Sequence, residues 1–181
     1  GADALWSQGI DGTGVVVAAM DTGVDVRHAD LSSSWRGGGN SWYDPHKKTT
    51  APYDPSGHGT QVMGILVGGS KSGAPIGVAP GARWIAVKIF NDAGSASYSA
   101  IHLGFQWLLD PDGLPDTEDA PHVVNNSWGL ESAAGDCIQE FRTDVQILRE
   151  AGISLVFSAG NSGPRDSTSV SPANYPESFA A

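Results

Sequence analysis

The sequence predicts an α/β fold in three layers, a mostly parallel sheet flanked by helices. Three observations predict it. Residues 15–20 form a continuous Val-rich apolar run, which suits a strand buried on both faces, as in a parallel sheet covered by helices. Further strand-like and helix-like segments then alternate along the chain, as βαβ units do. The stretches between them are rich in Gly, Pro, Ser and Asp.

The elements follow in order. Residues 15–20 are the first strand. Residues 59–67 are small and apolar nearly throughout and read as a buried helix. Residues 83–90 (Arg-Trp-Ile-Ala-Val-Lys-Ile-Phe) read as a second strand. Residues 97–109 place Ile101, Phe105 and Leu108 at helical spacing. A third strand starts at residues 122–125. Residues 138–151 place Phe141, Val145 and Leu148 at helical spacing, and Gly152 fits a helix stop. Residues 153–158 are a fourth strand. Loops are expected at residues 32–55, 68–75, 110–121 and 162–176. With no internal repeat and no linker, one domain over residues 1–181 is the economical reading, and 181 residues can bury a sizeable core.

Composition narrows the function. The net charge of −10 opposes non-specific nucleic-acid binding, which needs a basic footprint. No apolar stretch is long enough to span a bilayer, so no membrane partner is expected. Residues 1–7 lack the basic and apolar regions of a signal peptide. The single cysteine, Cys137, excludes a disulfide within the chain and reads as a small half-buried thiol with no base beside it.

Three positions carry candidate chemistry. Asp21 closes the first strand, and ligands of parallel sheets gather at the carboxyl ends of strands. Its alternative is a turn-capping aspartate. Asp25 and Asp30 compete for the role but lie in the following loop, where solvation or capping explains them. His58 stands between Gly57 and Gly59 at the start of a predicted helix, where a neutral base is favoured and other backbone can approach closely. A helix-capping histidine or a metal ligand are its alternatives. Its i+3 and i+4 neighbours, Gln61 and Val62, offer no ligand pair. The other histidines, His28, His46, His102 and His122, read as surface or loop residues. Asn161 follows the fourth strand in Ser-Ala-Gly-Asn-Ser-Gly. It serves either a turn or, through its amide, a developing oxyanion.

Asp21 in Asp-Thr-Gly, His58 in Gly-His-Gly-Thr and Asn161, in that order, resemble the subtilisin-like serine proteases (subtilases, peptidase S8). Gly12-Thr-Gly-Val-Val-Val, Gly77-Val-Ala-Pro-Gly-Ala, Val87-Lys-Ile-Phe, Asn125-Asn-Ser-Trp-Gly129 and Ala173-Asn-Tyr-Pro176 also look like landmarks of that family. The resemblance covers nearly the whole chain and is closest in look to the bacillopeptidase F branch.

The resemblance implies a subtilisin-like fold and a secreted or extracellular serine endopeptidase working through an Asp-His-Ser triad. Asp21 would orient the imidazole, His58 would be general base and then general acid, and Asn161 would line the oxyanion hole. Gly94, Ser95 and Ala96 would form one edge pairing with an extended polypeptide substrate, and Ser127, Trp128 and Gly129 the other. Ser158, Ala159 and Gly160 would line the primary specificity pocket. Trp128 stands where a smaller residue is common, and plain core packing is its alternative. Ser171-Pro172 matches a position where a cis peptide is expected.

The family's nucleophile lies in a later Gly-Thr-Ser segment that residues 1–181 do not contain. The chain is therefore expected to be the N-terminal two-thirds of a catalytic domain, truncated at the C-terminus, inactive alone and completed by a C-terminal segment or second chain. No cofactor is predicted, and a structural calcium is left open. Many subtilases bind calcium near an Asp30-like position, but here the loop reads Gly69-Ser-Lys-Ser-Gly-Ala-Pro75, and lysine is no ligand for a hard cation. Two other readings stay open: a non-catalytic peptide-binding domain derived from the same fold, and a metal-dependent hydrolase using Asp21 and His58 as ligands.

Overall fold

The computed structural model describes residues 1–46 and 49–181; residues 47 and 48, inside the expected loop 32–55, lie outside the described residues. The element order is α1 (Ala2–Trp6), β1 (Val16–Asp21), β2 (Trp42–Tyr43), α2 (His58–Val67), β3 (Arg83–Lys88), α3 (Tyr98–Leu109), β4 (Val123–Asn126), a 3₁₀ turn (Glu131–Ala133), α4 (Arg142–Glu150), β5 (Ser154–Phe157) and β6 (Phe179–Ala180). The strands form one sheet in the order β2-β3-β1-β4-β5-β6. Every pairing between them is parallel. The four expected strands are all present. The two-residue strands β2 and β6 and the short α1 are additions.

Side-chain parity builds the layers. Along β1, Val17 and Ala19 face one side with Trp84 and Ala86 of β3, and Met63 and Val67 of α2 cover them. Ala18 and Met20 face the other side with Ile85, Val87 and Val124, under Ile101, Phe105 and Leu108 of α3 and Val145 and Leu148 of α4. The β1 interior is therefore buried on both faces, as its unbroken apolar run requires. Asp21 continues the Val17–Ala19 row and points to the α2 side.

Helix ends follow local chemistry. The Ser97 side chain accepts from Ala100 N–H and caps α3. Helix α4 begins at Arg142, not at residue 138, because Ile138 is tied elsewhere: its N–H donates to the Ser171 hydroxyl at 2.9 Å, and its carbonyl accepts from Tyr175. Gly152 follows α4 with φ of 86° and stops it as expected. Ser171-Pro172 is cis, and so is Gly163-Pro164.

Three sequence expectations need correction. Cys137 is exposed, not half-buried, because it lies in an irregular loop before α4. Of the two roles expected for Asp30, solvation fails, at 1% exposure, while capping holds: its Oδ1 accepts Ser72 N–H and its carbonyl accepts Gly69 N–H from the loop that closes over it. His102 is no free surface group. Its Nδ1 meets Asp144 Oδ2 at 2.9 Å, its Nε2 meets Glu140 Oε1 at 3.1 Å, and its ring packs on Phe141, joining α3 to the start of α4.

That link titrates. Partial burial lowers the His102 pKa, but hydrogen bonds and attraction from Glu140 and Asp144 outweigh it and raise the pKa above 6.5. The folded state thus binds this proton more tightly than the unfolded chain. The stability from His102 is fully present below the unfolded pKa of 6.5 and is lost as pH rises through the folded value. Urea unfolding at about pH 5.5 and about pH 9 is expected to show this loss, and His102→Gln is expected to lose stability mainly at the lower pH.

Candidate active site

Asp21 and His58 meet where parity and helix placement send them. Asp21 is the last residue of β1, on the face that α2 covers, and His58 is the first residue of α2. Asp21 Oδ1 lies 2.7 Å from His58 Nδ1. The same oxygen accepts Thr22 N–H at 2.6 Å. A carboxylate that accepts from the backbone accepts from Nδ1 as well, so the imidazole proton is assigned to Nδ1 and the lone pair to Nε2. The Asp21 side chain is 2% exposed and the His58 side chain 51%. The carboxylate is dry and the imidazole reaches solvent. Among the described residues, Nε2 has no hydrogen-bond partner and no serine hydroxyl bonds His58.

Two glycines permit this approach. A Cβ at Gly59 would lie 2.1 Å from the Gly23 carbonyl oxygen and 3.1 Å from Asp21 Oδ1. Gly23 has φ of 116°, and a Cβ there would lie 2.0 Å from the Tyr53 carbonyl oxygen. The Thr22 hydroxyl accepts Gly59 N–H at 2.9 Å, tying the turn after Asp21 to the residue after His58. Burial raises the Asp21 carboxyl above its ordinary range, while hydrogen bonds from His58 and Thr22 pull the other way. Its Oδ2 is buried without a partner among the described residues.

The remaining candidates stand at the same edge of the sheet. Gly94, Ser95 and Ala96 follow β3, Ser127, Trp128 and Gly129 follow β4, and Ser158, Ala159, Gly160 and Asn161 follow β5. Strand spacing sets β5 two strands, about 10 Å, from β1. Asn91 shapes the Gly94 turn: its Oδ1 accepts from Ala93 N–H and Ser95 N–H, each at 3.0 Å. The Ser127 hydroxyl accepts Asn125 Nδ2–H at 2.9 Å. Gly129 is packed so closely that a Cβ would lie 2.2 Å from Val170 Cγ2. Gly160 has φ of 101°, and Ala159 N–H donates to Ala181 O at 2.9 Å.

Two placements differ from a simple groove lining. Trp128 is 7% exposed and its indole sits among Phe105, Phe141 and Phe157, so this side chain belongs to the core. The Asn161 amide donates to Glu131 Oε1 at 3.3 Å.

Among the described residues Asp21 and His58 gather no third ligating side chain; the group that does form is Asp110, Asp112 and Asp119, in the loop after α3. Asp30 is different. Its Oδ1 accepts Ser72 N–H at 3.2 Å, and its buried Oδ2 has no partner among the described residues. Sequence reasoning missed Asp54, whose hydrogen bonds reach Thr22 and Thr60. Its place just ahead of a helix that starts on glycine was the available signal.

Residues 12–181 match the model of the subtilase family, Peptidase S8. Bacillopeptidase F of Bacillus subtilis (strain 168) is 43% identical over 196 residues, which cover 97% of this chain and 13% of that protein. Subtilisin E of the same organism is 36% identical over 99% of this chain and 43% of its own length. The major intracellular serine protease of that organism is 31% identical over 97% of this chain and 53% of its own. The chain thus spans between 13% and 53% of the length of these relatives.

Proposed function

The chain belongs to the subtilase family, and from that premise we propose that it carries the acid–base half of a serine endopeptidase. The observation that carries this reading is the 2.7 Å contact between a buried carboxylate and a half-exposed imidazole with its Nε2 unengaged. Nε2 takes the proton of a serine hydroxyl and later returns it to the leaving amine, while Asp21 holds the tautomer and stabilises the imidazolium. The serine is supplied by a segment outside residues 1–181, so these residues alone are inactive.

The substrate is an extended polypeptide. Gly94, Ser95 and Ala96 pair with one side of it, and the backbone of Ser127, Trp128 and Gly129 with the other. Ser158, Ala159 and Gly160 line the primary pocket, and Asn161 turns from Glu131 to the oxyanion. No cofactor takes part. A structural calcium at Asp30 stays an open reading: its buried Oδ2 has no partner among the described residues, but Lys71 in the facing loop is no ligand. A secreted location is proposed with the subtilisins, although one relative is named intracellular. Among the described residues, no helix is long and apolar enough to cross a membrane.

The test is a serine-directed fluorophosphonate probe on the full-length natural protein. Labelling of a serine beyond residue 181, lost in His58→Ala, is the expected result. Tight peptide binding with no labelling would instead establish a binding module built on the same fold.

A further inference from the structure

We propose that Asp54 is a positioning residue for the Asp21–His58 pair, acting through the hydroxyls of Thr22 and Thr60. The proposal rests on reading that pair as a protease's acid–base couple. Asp54 touches neither member of it.

The pair is carried by two segments, the turn after β1 and the first turn of α2. Asp54, in the loop between them, accepts from both. Its Oδ1 takes the Thr22 hydroxyl at 2.9 Å and Ser56 N–H at 3.1 Å. Its Oδ2 takes Thr60 N–H at 2.9 Å and the Thr60 hydroxyl at 2.7 Å. Each hydroxyl in turn accepts a backbone N–H from the opposite segment. Thr22 Oγ1 takes Gly59 N–H at 2.9 Å, and Thr60 Oγ1 takes Asp25 N–H at 2.9 Å.

A hydroxyl has one proton to give, and an ionised carboxylate can only accept. Asp54 draws both protons to itself and so aims both oxygens' lone pairs at the cross-links. Two bonds between the segments are thereby oriented by one charge. Asp54 also does the capping that Gly57 cannot: Gly57 is the N-cap of α2 and has no side chain, and Thr60 N–H is an orphan donor of the first turn. Burial opposes ionisation of Asp54, but hydrogen bonds from Thr60, Gly57 and Thr22 outweigh it and hold the carboxyl below its ordinary range. The acceptor role is therefore kept at neutral pH.

The experiment uses the full-length natural protein. Asp54→Ala is expected to lower kcat for a peptide amide roughly 10²-fold with KM unchanged, the scale of a small misplacement of catalytic groups. It is also expected to abolish the far-downfield proton resonance of His58 Nδ1–H bonded to Asp21, with the circular-dichroism spectrum retained. Should Asp54→Ala fail to fold, the pair Thr22→Ser and Thr22→Val decides. Serine keeps the hydroxyl and is expected to keep the resonance; valine keeps the shape and is expected to lose it. An unchanged resonance in Asp54→Ala, or equal loss in both Thr22 variants, overturns the proposal. A resonance that vanishes in Asp54→Ala of a protein that hydrolyses no peptide upholds the positioning role and refutes the protease reading instead.

Discussion

Replacing Asp21 by asparagine in the full-length natural protein is expected to lower kcat for peptide hydrolysis about 10⁴-fold, the loss seen when a triad aspartate is amidated. The reason lies in a single oxygen. Asp21 Oδ1 accepts at 2.7 Å from Nδ1 and fixes the proton there. An amide nitrogen in that place donates to Nδ1 and forces the proton onto Nε2, which then cannot act as base. At 1.36 kcal/mol per decade the loss is about 5 kcal/mol of transition-state stabilisation. His58→Ala removes the base itself and is expected to cost about 10⁶, the scale measured in subtilisin. Steady-state kinetics check both, and a kcat for Asp21→Asn close to that of the parent would contradict the assignment.

The second large effect concerns Gly59, and Gly64 in the same helix is its control. Both lie in α2, where alanine is favoured over glycine by about 1 kcal/mol. At Gly64 a Cβ meets only Ile76 Cδ1, at an ordinary 3.7 Å. Gly64→Ala is therefore expected to stabilise the protein by up to about 1 kcal/mol. At Gly59 a Cβ falls 2.1 Å from the Gly23 carbonyl oxygen, which is backbone and cannot rotate away. Here the clash outweighs propensity, and Gly59→Ala is expected to cost about 1–3 kcal/mol on balance. The strain lands on Asp21, whose Oδ1 is 3.1 Å from the same point, so kcat is expected to fall as well. Urea unfolding and kinetics of the two variants read out opposite signs. A stabilised, fully active Gly59→Ala would contradict the packing described around the pair.

Much of this was legible in the sequence because it follows from short-range rules. Parity along residues 17, 19 and 21 and a histidine at a helix start are sequence properties, and together they bring Asp21 to His58. Strand β1 announced itself by its apolar run, and β3, β4 and β5 by strand-like segments that alternate with helix-like ones. The two-residue strands did not, since Trp42 and Phe179 join the sheet only through the partners Ala86 and Val156. His102 read as an ordinary histidine because Glu140 and Asp144, about 40 residues away, become neighbours only when α3 meets α4. Burial of Asp30 and of the Trp128 indole likewise depends on distant chain. The partner of Asn161, Glu131, was not readable, because it lies 30 residues away and meets the amide only in the fold.

The most direct test of the central claim is a crystal structure of the full-length natural protein after reaction with a fluorophosphonate. The predicted result is phosphorus on a serine beyond residue 181, His58 Nε2 within hydrogen-bond reach of that serine's Oγ, and the Asn161 amide turned from Glu131 to within about 2.7–3.1 Å of the phosphonyl oxygen. Phosphorus on a serine remote from His58, with Nε2 still facing solvent, would contradict it.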